Sequence, residues 1–173
     1  LLVWPETALP LDIREHETAM MLVRETTATG IPLLAGTTET EYLDDGKERY
    51  FNSSLLFAPD GVLRGTYDKR HLVLFGEYVP FRRWLPFLTR LTPIQESFTP
   101  GDTSTVFRLN QPDVPFSVLI CFEDTLPYIA RDAVRAGARL LVNQTNDAWF
   151  DPSSASLQHM SHCVFRCVEN NVP

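Results

Sequence analysis

A cysteine stands where a buried strand is predicted to end. Residues 117–120 form a short apolar, β-branched run typical of a core parallel strand, and Cys121 follows it directly. In open α/β folds ligands bind at the carboxyl ends of such strands, because a helix that begins there presents unpaired N–H groups. Pro127 suits the first turn of such a helix, and Asp124 or Thr125 could cap it. Cys121 is therefore either a candidate nucleophile or, as is commoner for a free cysteine, a small buried hydrophobe.

Two more ionisable side chains stand at predicted strand ends. Glu6 follows a strand-like run at residues 1–4, in a segment where prolines prevent a regular ladder. Lys69 ends a strand predicted over residues 62–67. Taken alone, Glu6 is compatible with a solvated loop and Lys69 with an exposed surface position. A carboxylate, an ammonium group and a thiol at one sheet edge would together supply a base, a cation and a nucleophile.

Composition and charge narrow the class of protein. The chain has 173 residues, a net charge of −7 and a pI near 5.0, which argues against a nucleic-acid-binding surface. Its length predicts one domain. No apolar run reaches the ~20 residues of a membrane span, and no Gly-rich phosphate loop is present. Because the chain starts without Met, inside a strand-like run, we expect it to be part of a longer protein.

The last predicted helix, over residues 154–169, carries three soft side chains on one face. His159, Cys163 and Cys167 follow one another at four-residue spacing. This spacing is compatible with zinc ligands. Small cysteines on a buried helix face need no metal, however, and we expect no metal site here.

Helices and strands are predicted to alternate along the chain. Residues 12–29 are expected to form a helix closed by Gly30, and residues 31–37 a short buried strand. The acidic segment 39–48 is predicted to be a solvated loop, and residues 59–61 (Pro-Asp-Gly) indicate a hairpin turn. Further strands are expected at residues 50–58, 62–67, 105–109 and 139–143, and a further helix at residues 128–136.

Residues 81–94 combine apolar anchors with arginines. Aromatic and aliphatic side chains, Trp84 among them, are interleaved with Arg82, Arg83 and Arg90. Such a mixture suits a membrane interface, where apolar groups enter the lipid and the charged heads stay in water. A helix packed on the core by its apolar side would give the same pattern, so both interpretations remain open.

The three strand-end residues lie within longer motifs, which are WPET at residues 4–7, YDKRHLVLFGEYVP at residues 67–80 and CFED at residues 121–124. In this order the motifs resemble the nitrilase superfamily, whose catalytic set is a Glu, a Lys and a Cys on an α/β/β/α sandwich. The resemblance implies an α/β fold of this nitrilase-like type over residues 1–173, incomplete at both ends.

Within that superfamily the chain resembles the carbon-nitrogen hydrolase domain of the apolipoprotein N-acyltransferases. This branch implies flanking transmembrane segments outside the chain. The features that favour it, besides the Lys69 motif above, are residues 3–10, residues 143–150, Gln158, His159, Arg166 and Glu169.

The resemblance also implies roles for individual residues. Glu6 would be the general base and Cys121 the nucleophile. Lys69 would stabilise the tetrahedral oxyanion together with the backbone N–H that follows Cys121. Glu77 would position the lysine or the base. Phe122 stands where many family members have Tyr, which removes a hydroxyl group and keeps the aromatic face.

Three further residues are assigned by this resemblance to the substrate pocket or to a lid at the bilayer surface: Glu123, Trp84 and Trp149.

The implied reaction is acyl transfer by way of a thioester. The acyl donor would be a phospholipid, and the acceptor the N-terminal amine of a diacylglyceryl-lipoprotein. No metal or organic cofactor is expected. The implied location is the bacterial cell inner membrane, with this domain on the periplasmic side. Two alternatives remain open, namely a soluble nitrilase-type amidase that uses the same three residues with water as acceptor, and a non-catalytic binding domain.

Overall fold

The first half of the chain forms a four-stranded sheet. The computed structural model describes residues 1–80, 97–150 and 153–173, apart from the side chain of Trp149. In this sheet β1 (Leu2–Val3) runs parallel to β2 (Leu33–Tyr42). The strands β3 (Glu48–Phe57) and β4 (Leu63–Asp68) then continue it as antiparallel neighbours, in the order β1-β2-β3-β4. Helix α1 (Glu17–Thr27) connects β1 to β2.

The second half forms a three-stranded sheet. In it β5 (Phe107–Asn110) pairs antiparallel with β6 (Asp113–Ile120), and β6 pairs parallel with β7 (Leu141–Gln144). Helix α2 (Pro127–Arg135) makes the crossover between β6 and β7. Because β6 and β7 are parallel, their carboxyl ends lie at the same edge of the sheet.

Two short 3₁₀ helices follow these carboxyl ends. The first, Cys121–Thr125, comes directly after β6, and the second, Asp147–Phe150, comes shortly after β7. We call them the Cys121 turn and the Asp147 turn. Helix α3 (Ala155–Asn170) then packs against the Cys121 turn and α2.

Alternation of side chains along the strands builds four layers. On β2, Leu33 and Ala35 pack with α1, whereas Leu34 faces the second sheet. On β6, Leu119 packs against Ile129 of α2. The layer order is therefore α/β/β/α, which confirms the predicted nitrilase-like sandwich. The buried core between the two sheets consists of Leu34, Leu56, Tyr67, Phe107, Phe116, Val118 and Ile120.

Helix α1 begins later than predicted. Its first residue is Glu17, five positions after the expected start at Asp12. The Asp12 carboxylate instead accepts hydrogen bonds from the backbone N–H groups of Arg14 (2.9 Å) and Thr40 (3.0 Å). The second bond attaches this segment to β2, so the chain turns there before the helix starts.

The acidic segment 39–48 was wrongly predicted to be a loop. Residues up to Tyr42 continue β2, and β3 starts at Glu48, so only residues 43–47 form the turn between them. Glu39 is buried, with Arg14 at 2.7 Å. The charges misled the prediction because they occupy rungs of a hairpin, where opposite charges such as Arg49 and Glu41 (3.5 Å) can pair across the strands.

The segment after Cys121 also differs from its prediction. The predicted cap residues, Asp124 and Thr125, lie within the Cys121 turn, and Leu126 is the N-cap of α2. Pro127 does occupy the first turn, as predicted. Asp124 is fully buried, and its carboxylate contacts His159 and Cys163 of α3 instead.

Two further predictions concern membranes and metals. Among the described residues, none of the helices combines the length and apolar character that crossing a bilayer requires. In the same part of the chain no group of three or more His, Cys, Asp and Glu side chains is arranged to hold a metal ion. His159 and Cys163 share a partner in Asp124, with which each makes a polar contact of 3.2 Å.

Candidate active site

Glu6 is held above the amino-terminal half of β2. The Trp4 N–H donates to the Leu34 carbonyl (2.9 Å), which extends the β1–β2 ladder, and the chain then turns through Thr7 at a positive φ of 43°. Glu6 is thereby buried, with 7% of its surface exposed. One of its oxygens, Oε2, accepts from the Asn146 N–H (3.2 Å) beyond β7. From the sequence alone, Glu6 was compatible with a solvated loop. It does lie in a loop, but its side chain is buried.

Gly36 makes the close approach of Glu6 possible. A Cβ atom at this position of β2 would lie 2.2 Å from the Pro5 carbonyl oxygen and 2.9 Å from the Glu6 Cα. Both are backbone atoms, so no side-chain rotation can relieve the contact. Glycine is therefore the residue that allows the Glu6 turn to rest directly on the strand.

For the acylation of Cys121 that the family resemblance implies, we expect Gly36→Ala to slow the step about a hundredfold, because a displacement of roughly 1 Å at a reacting group has an effect of this size. The rate of acyl-enzyme formation, measured by intact-protein mass spectrometry, tests this. Gly65→Ala is a matched control, since its Cβ would meet only the Phe107 ring at 3.1 Å. An acylation rate for Gly36→Ala equal to that of Gly65→Ala would contradict the positioning of Glu6 by this contact.

Lys69 lies at the end of β4 and is almost completely buried, with 1% of its surface exposed. Its N–H donates to the Asn52 carbonyl (2.8 Å), which continues the ladder with β3. Its Nζ lies 3.1 Å from Glu6 Oε1 and 2.9 Å from Glu77 Oε1. Burial by itself would lower the pKa of Lys69, but the neighbouring carboxylates outweigh it and the pKa is raised. The side chain is therefore an ammonium ion.

Asn52 joins the same two carboxylate oxygens that Lys69 contacts. Its Nδ2 donates to Glu6 Oε1 and to Glu77 Oε1, each at 2.8 Å. The remaining oxygen of Glu77 accepts from the Val73 N–H (2.8 Å). An amide NH₂ and an ammonium group are donors only towards these oxygens, so the arrangement suits two ionised carboxylates. The cluster then carries one positive and two negative charges away from solvent.

Cys121 sits in a left-handed backbone conformation, with φ at 52°. For a non-glycine residue this conformation is strained, and such strain is found at reactive sites that the surrounding structure holds in place. The side chains of Glu6 and Thr145 are both close enough to the thiol to act on its pKa. Burial, followed by the charge of Glu6, raises its pKa to about 11, while Lys69 acts in the opposite direction. At neutral pH the resting group is a thiol.

Glu123 holds the Cys121 turn to the segment after Lys69. It is fully buried, and its Oε1 accepts from the backbone N–H groups of Arg70 (2.7 Å) and His71 (3.0 Å). Its Oε2 accepts from the Tyr67 hydroxyl and the Ile120 N–H, both at 2.9 Å. Burial raises its pKa, against the effect of these hydrogen bonds. Glu123 therefore supports the site from within rather than lining a pocket.

The remaining candidates are one exposed residue and two whose side chains lie outside the described part of the chain. Phe122 has 46% of its surface exposed and belongs to none of the buried core clusters among the described residues. Trp84 lies outside the described residues, as does the whole 81–94 stretch, and so does the side chain of Trp149. Their predicted roles in a pocket or lid remain predictions.

Sequence reasoning missed Asn52 and Gln144. Asn52 is the first of three buried polar residues inside β3, and they lie between an aromatic pair, Tyr50 and Phe51, and the apolar run 55–57. Gln144 ends β7, is 1% exposed, and donates from Nε2 to the Trp4 carbonyl (2.6 Å). A buried polar residue in the middle or at the end of a core strand needs a partner, which is the signal that could have identified both.

A family model described as carbon-nitrogen hydrolase matches residues 1–173. The chain belongs to the carbon-nitrogen hydrolase family. Two curated relatives named apolipoprotein N-acyltransferase match it throughout. The protein of Geobacter metallireducens is 42% identical over 174 residues, and that of Brucella suis is 34% identical over 180 residues. In both, the match takes in all of this chain and 33% of the relative. The chain thus spans about a third of their length.

The fold of the carbon-nitrogen hydrolase family is also seen in solved structures. An amidase of the nitrilase superfamily from Nesterenkonia AN1, in a mutant form, superposes with a TM-score of 0.66 at 20% sequence identity. The similarity covers 99% of this chain and 60% of the amidase. At this identity the likeness concerns the fold.

Proposed function

We propose that this chain is the catalytic part of an apolipoprotein N-acyltransferase. The observation that carries the proposal is the buried Lys69 ammonium group between the carboxylates of Glu6 and Glu77, with the Cys121 thiol against Glu6. Relatives up to 42% identical that bear this name support the choice of reaction. The chain covers only a third of them, so the activity is assigned to a longer protein.

In the first half-reaction Glu6 is the general base. A thiol with a pKa of about 11 supplies almost no thiolate at neutral pH, so a base must take its proton as the sulfur attacks. The Cys121 sulfur forms a bond with the ester carbonyl carbon of a phospholipid. The resulting oxyanion is stabilised by Lys69 and by the Phe122 N–H, each such donor contributing roughly 3 kcal/mol. Collapse of the intermediate breaks the ester C–O bond, Glu6 returns the proton to the departing alkoxide, and a Cys121 thioester remains.

In the second half-reaction the acceptor amine replaces the thiol. The α-amine of a diacylglyceryl-cysteine attacks the thioester carbonyl and loses a proton to Glu6. The C–S bond then breaks, an amide forms, and the Cys121 thiol is regenerated with that proton. Lys69 stabilises the oxyanion again. Glu77 and Asn52 keep Lys69 and Glu6 in position, as their contacts of 2.8 to 2.9 Å with this pair suggest. The cycle uses no metal or organic cofactor.

A phospholipid donor requires a membrane surface near Cys121. We infer that the whole protein lies in the bacterial inner membrane through segments outside this chain, with the catalytic part on the periplasmic side. The apolar and arginine-rich residues 81–94 would then form a lid at the lipid surface, with Trp84 as one anchor. Trp149 would contribute to the same pocket. These assignments follow from the family resemblance.

A soluble amidase is the second candidate, and it is favoured by the shared fold with the Nesterenkonia amidase. The same base, cation and nucleophile would act, and water would resolve the acyl-enzyme. The two candidates differ in donor and acceptor and not in the three reacting groups.

The proposal is tested with the full-length protein, a phospholipid carrying a labelled acyl chain, and a diacylglyceryl-lipopeptide with a free N-terminal amine. We expect the label to appear in an amide on this lipopeptide. A lipopeptide whose amine is acetylated is the matched control and should accept none. Release of ammonia from small amides without any labelled lipopeptide would instead support the amidase.

A further inference from the structure

A second polar cluster lies next to Cys121, between α3 and the two 3₁₀ turns. Its centre is His159 of α3, which is 7% exposed and reaches between the two 3₁₀ turns. The His159 Nδ1 lies 2.9 Å from Asp147 Oδ1, in the Asp147 turn. The His159 Nε2 lies 3.2 Å from Asp124 Oδ1, in the Cys121 turn. One imidazole ring thus joins the segments that follow β6 and β7.

The surroundings of the ring favour a hydrogen on both of its nitrogens, because each nitrogen lies near a carboxylate oxygen. Nδ1 faces the Asp147 carboxylate at 2.9 Å, and the buried Nε2, which has no hydrogen-bond partner among the described residues, lies 3.2 Å from Asp124 Oδ1. A neutral imidazole has one nitrogen lone pair, which would point at one of these acceptors. The protonated ring instead presents an N–H to each of the two carboxylates. Burial opposes this charge, but the hydrogen bond to Asp147 and the two carboxylates raise the pKa of His159 above its ordinary value of 6.5.

The contacts continue from His159 to the sulfur of Cys121. The Thr145 hydroxyl donates to Asp147 Oδ1 (2.9 Å) and is also within hydrogen-bonding reach of the Cys121 thiol. A hydroxyl has a single hydrogen to donate. When the imidazolium ring occupies Asp147 Oδ1, that hydrogen is freer to turn to the sulfur. The backbone of the strained residue Cys121 is also close enough to the ring to favour its charge.

We propose that the protonated side chain of His159 is a positioning residue, which clamps the Cys121 turn to the Asp147 turn and keeps the sulfur directed at Glu6 and Lys69. The inference rests on Cys121 being the nucleophile. It assigns no contact between His159 and the substrate.

Other charged groups face this clamp from each element packed on it. Asp124 also accepts from Asn143 (3.0 Å) and Cys163 (3.2 Å) at Oδ2, and its carbonyl accepts from Arg166 (3.2 Å). His162 lies close enough to influence Asp124 electrostatically. The titratable or charged groups around His159 are thus Asp124 and Cys121 from the Cys121 turn, Asp147 from the Asp147 turn, and His162, Cys163 and Arg166 from α3.

The test is the rate at which iodoacetamide alkylates Cys121 in the full-length protein, measured on the peptide that contains it between pH 6 and pH 9. This readout needs neither donor nor acceptor, so failure of the proposed acyl transfer would leave it interpretable. Because the raised pKa of His159 means that the charge is present at low pH and lost as pH rises, the clamp should be complete at pH 6 and open at pH 9. Alkylation of Cys121 in His159→Gln should therefore be about tenfold slower than in wild type at pH 6, and less than about twofold slower at pH 9.

A merely structural role of His159 predicts a different result. The ratio of the alkylation rates of wild type and His159→Gln would then not change with pH. That outcome, or a ratio of one throughout, would overturn the proposal. His162→Gln is the matched control, since it removes an imidazole one helical turn away and leaves the bridge intact. An equal effect in this control would also contradict the clamp.

If His159→Gln fails to fold, Asp147→Asn provides the same test. Asp147 has 24% of its side chain exposed, and the substitution removes one carboxylate that stabilises the charged ring. The fall in the Cys121 alkylation rate that marks the loss of the clamp should then occur at lower pH than in wild type. An unchanged pH profile for Asp147→Asn would contradict the proposal.

Discussion

Replacing Cys121 with serine should abolish acyl transfer to the lipopeptide, with a loss of roughly a thousandfold or more and no loss of the folded state. A hydroxyl group holds its proton far more tightly than a thiol, so Glu6 cannot assist its attack on an ester as it does for sulfur. The substitution changes one atom and leaves the backbone conformation of Cys121 in place, because serine can adopt the same left-handed conformation at similar strain.

The measurement is formation of the labelled amide by the full-length protein, with the melting temperature as the check on folding. Cys167→Ser is the matched control on α3, and its transfer rate should equal that of wild type. Normal transfer by Cys121→Ser would remove Cys121 from the mechanism. A loss of equal size in Cys167→Ser would show that the effect is not specific to the candidate nucleophile.

Replacing Lys69 with methionine should remove both the acyl-enzyme and much of the local stability. Methionine has a similar length and no charge, so the carboxylates of Glu6 and Glu77 lose the cation that lies 2.9 to 3.1 Å from them. Leaving buried charges unpaired in this way costs about 3 to 5 kcal/mol. The oxyanion also loses its charged donor, so acylation should fall even in the molecules that remain folded.

The pH dependence separates this explanation from a simple packing defect. Protons can neutralise the unpaired carboxylates as pH falls, so the difference in melting temperature between wild type and Lys69→Met should narrow from pH 8 to pH 5. Lys47→Met is the control, because Lys47 is largely exposed, with 76% of its side chain accessible. It should leave the melting temperature and acylation unchanged. A difference in melting temperature between wild type and Lys69→Met that stays constant with pH would argue against unpaired charge as the cause.

Local sequence patterns were sufficient to predict the strand ends that carry Glu6, Lys69 and Cys121. Glu6 and Cys121 each follow a short apolar run, and Lys69 follows the strand that begins after the Pro-Asp-Gly turn. The sandwich was predicted from the order of motifs together with the family resemblance. The hairpin at residues 59–61 was predicted by its turn residues alone, and β3 and β4 pair on either side of it.

The sequence did not predict features that depend on strand register. Asn52 lies beside Lys69 only because of the pairing of β3 with β4, and Gly36 underlies Glu6 only because of the pairing of β2 with β1. The acidic hairpin was misassigned for the same reason, since charge on an exposed strand face resembles charge in a loop. His159 was noted for its spacing with two cysteines, whereas its partners, Asp124 and Asp147, come from separate elements.

The most direct test of the account is to locate the acyl group on the protein. The full-length protein is incubated with phospholipid alone, so that no acceptor amine can resolve the intermediate, and its peptides are examined by mass spectrometry. We predict a fatty acyl mass on the peptide that contains Cys121, released by neutral hydroxylamine as expected of a thioester. An acyl group on any other residue, or amide product formed at the normal rate while Cys121 remains unmodified throughout, would contradict the account.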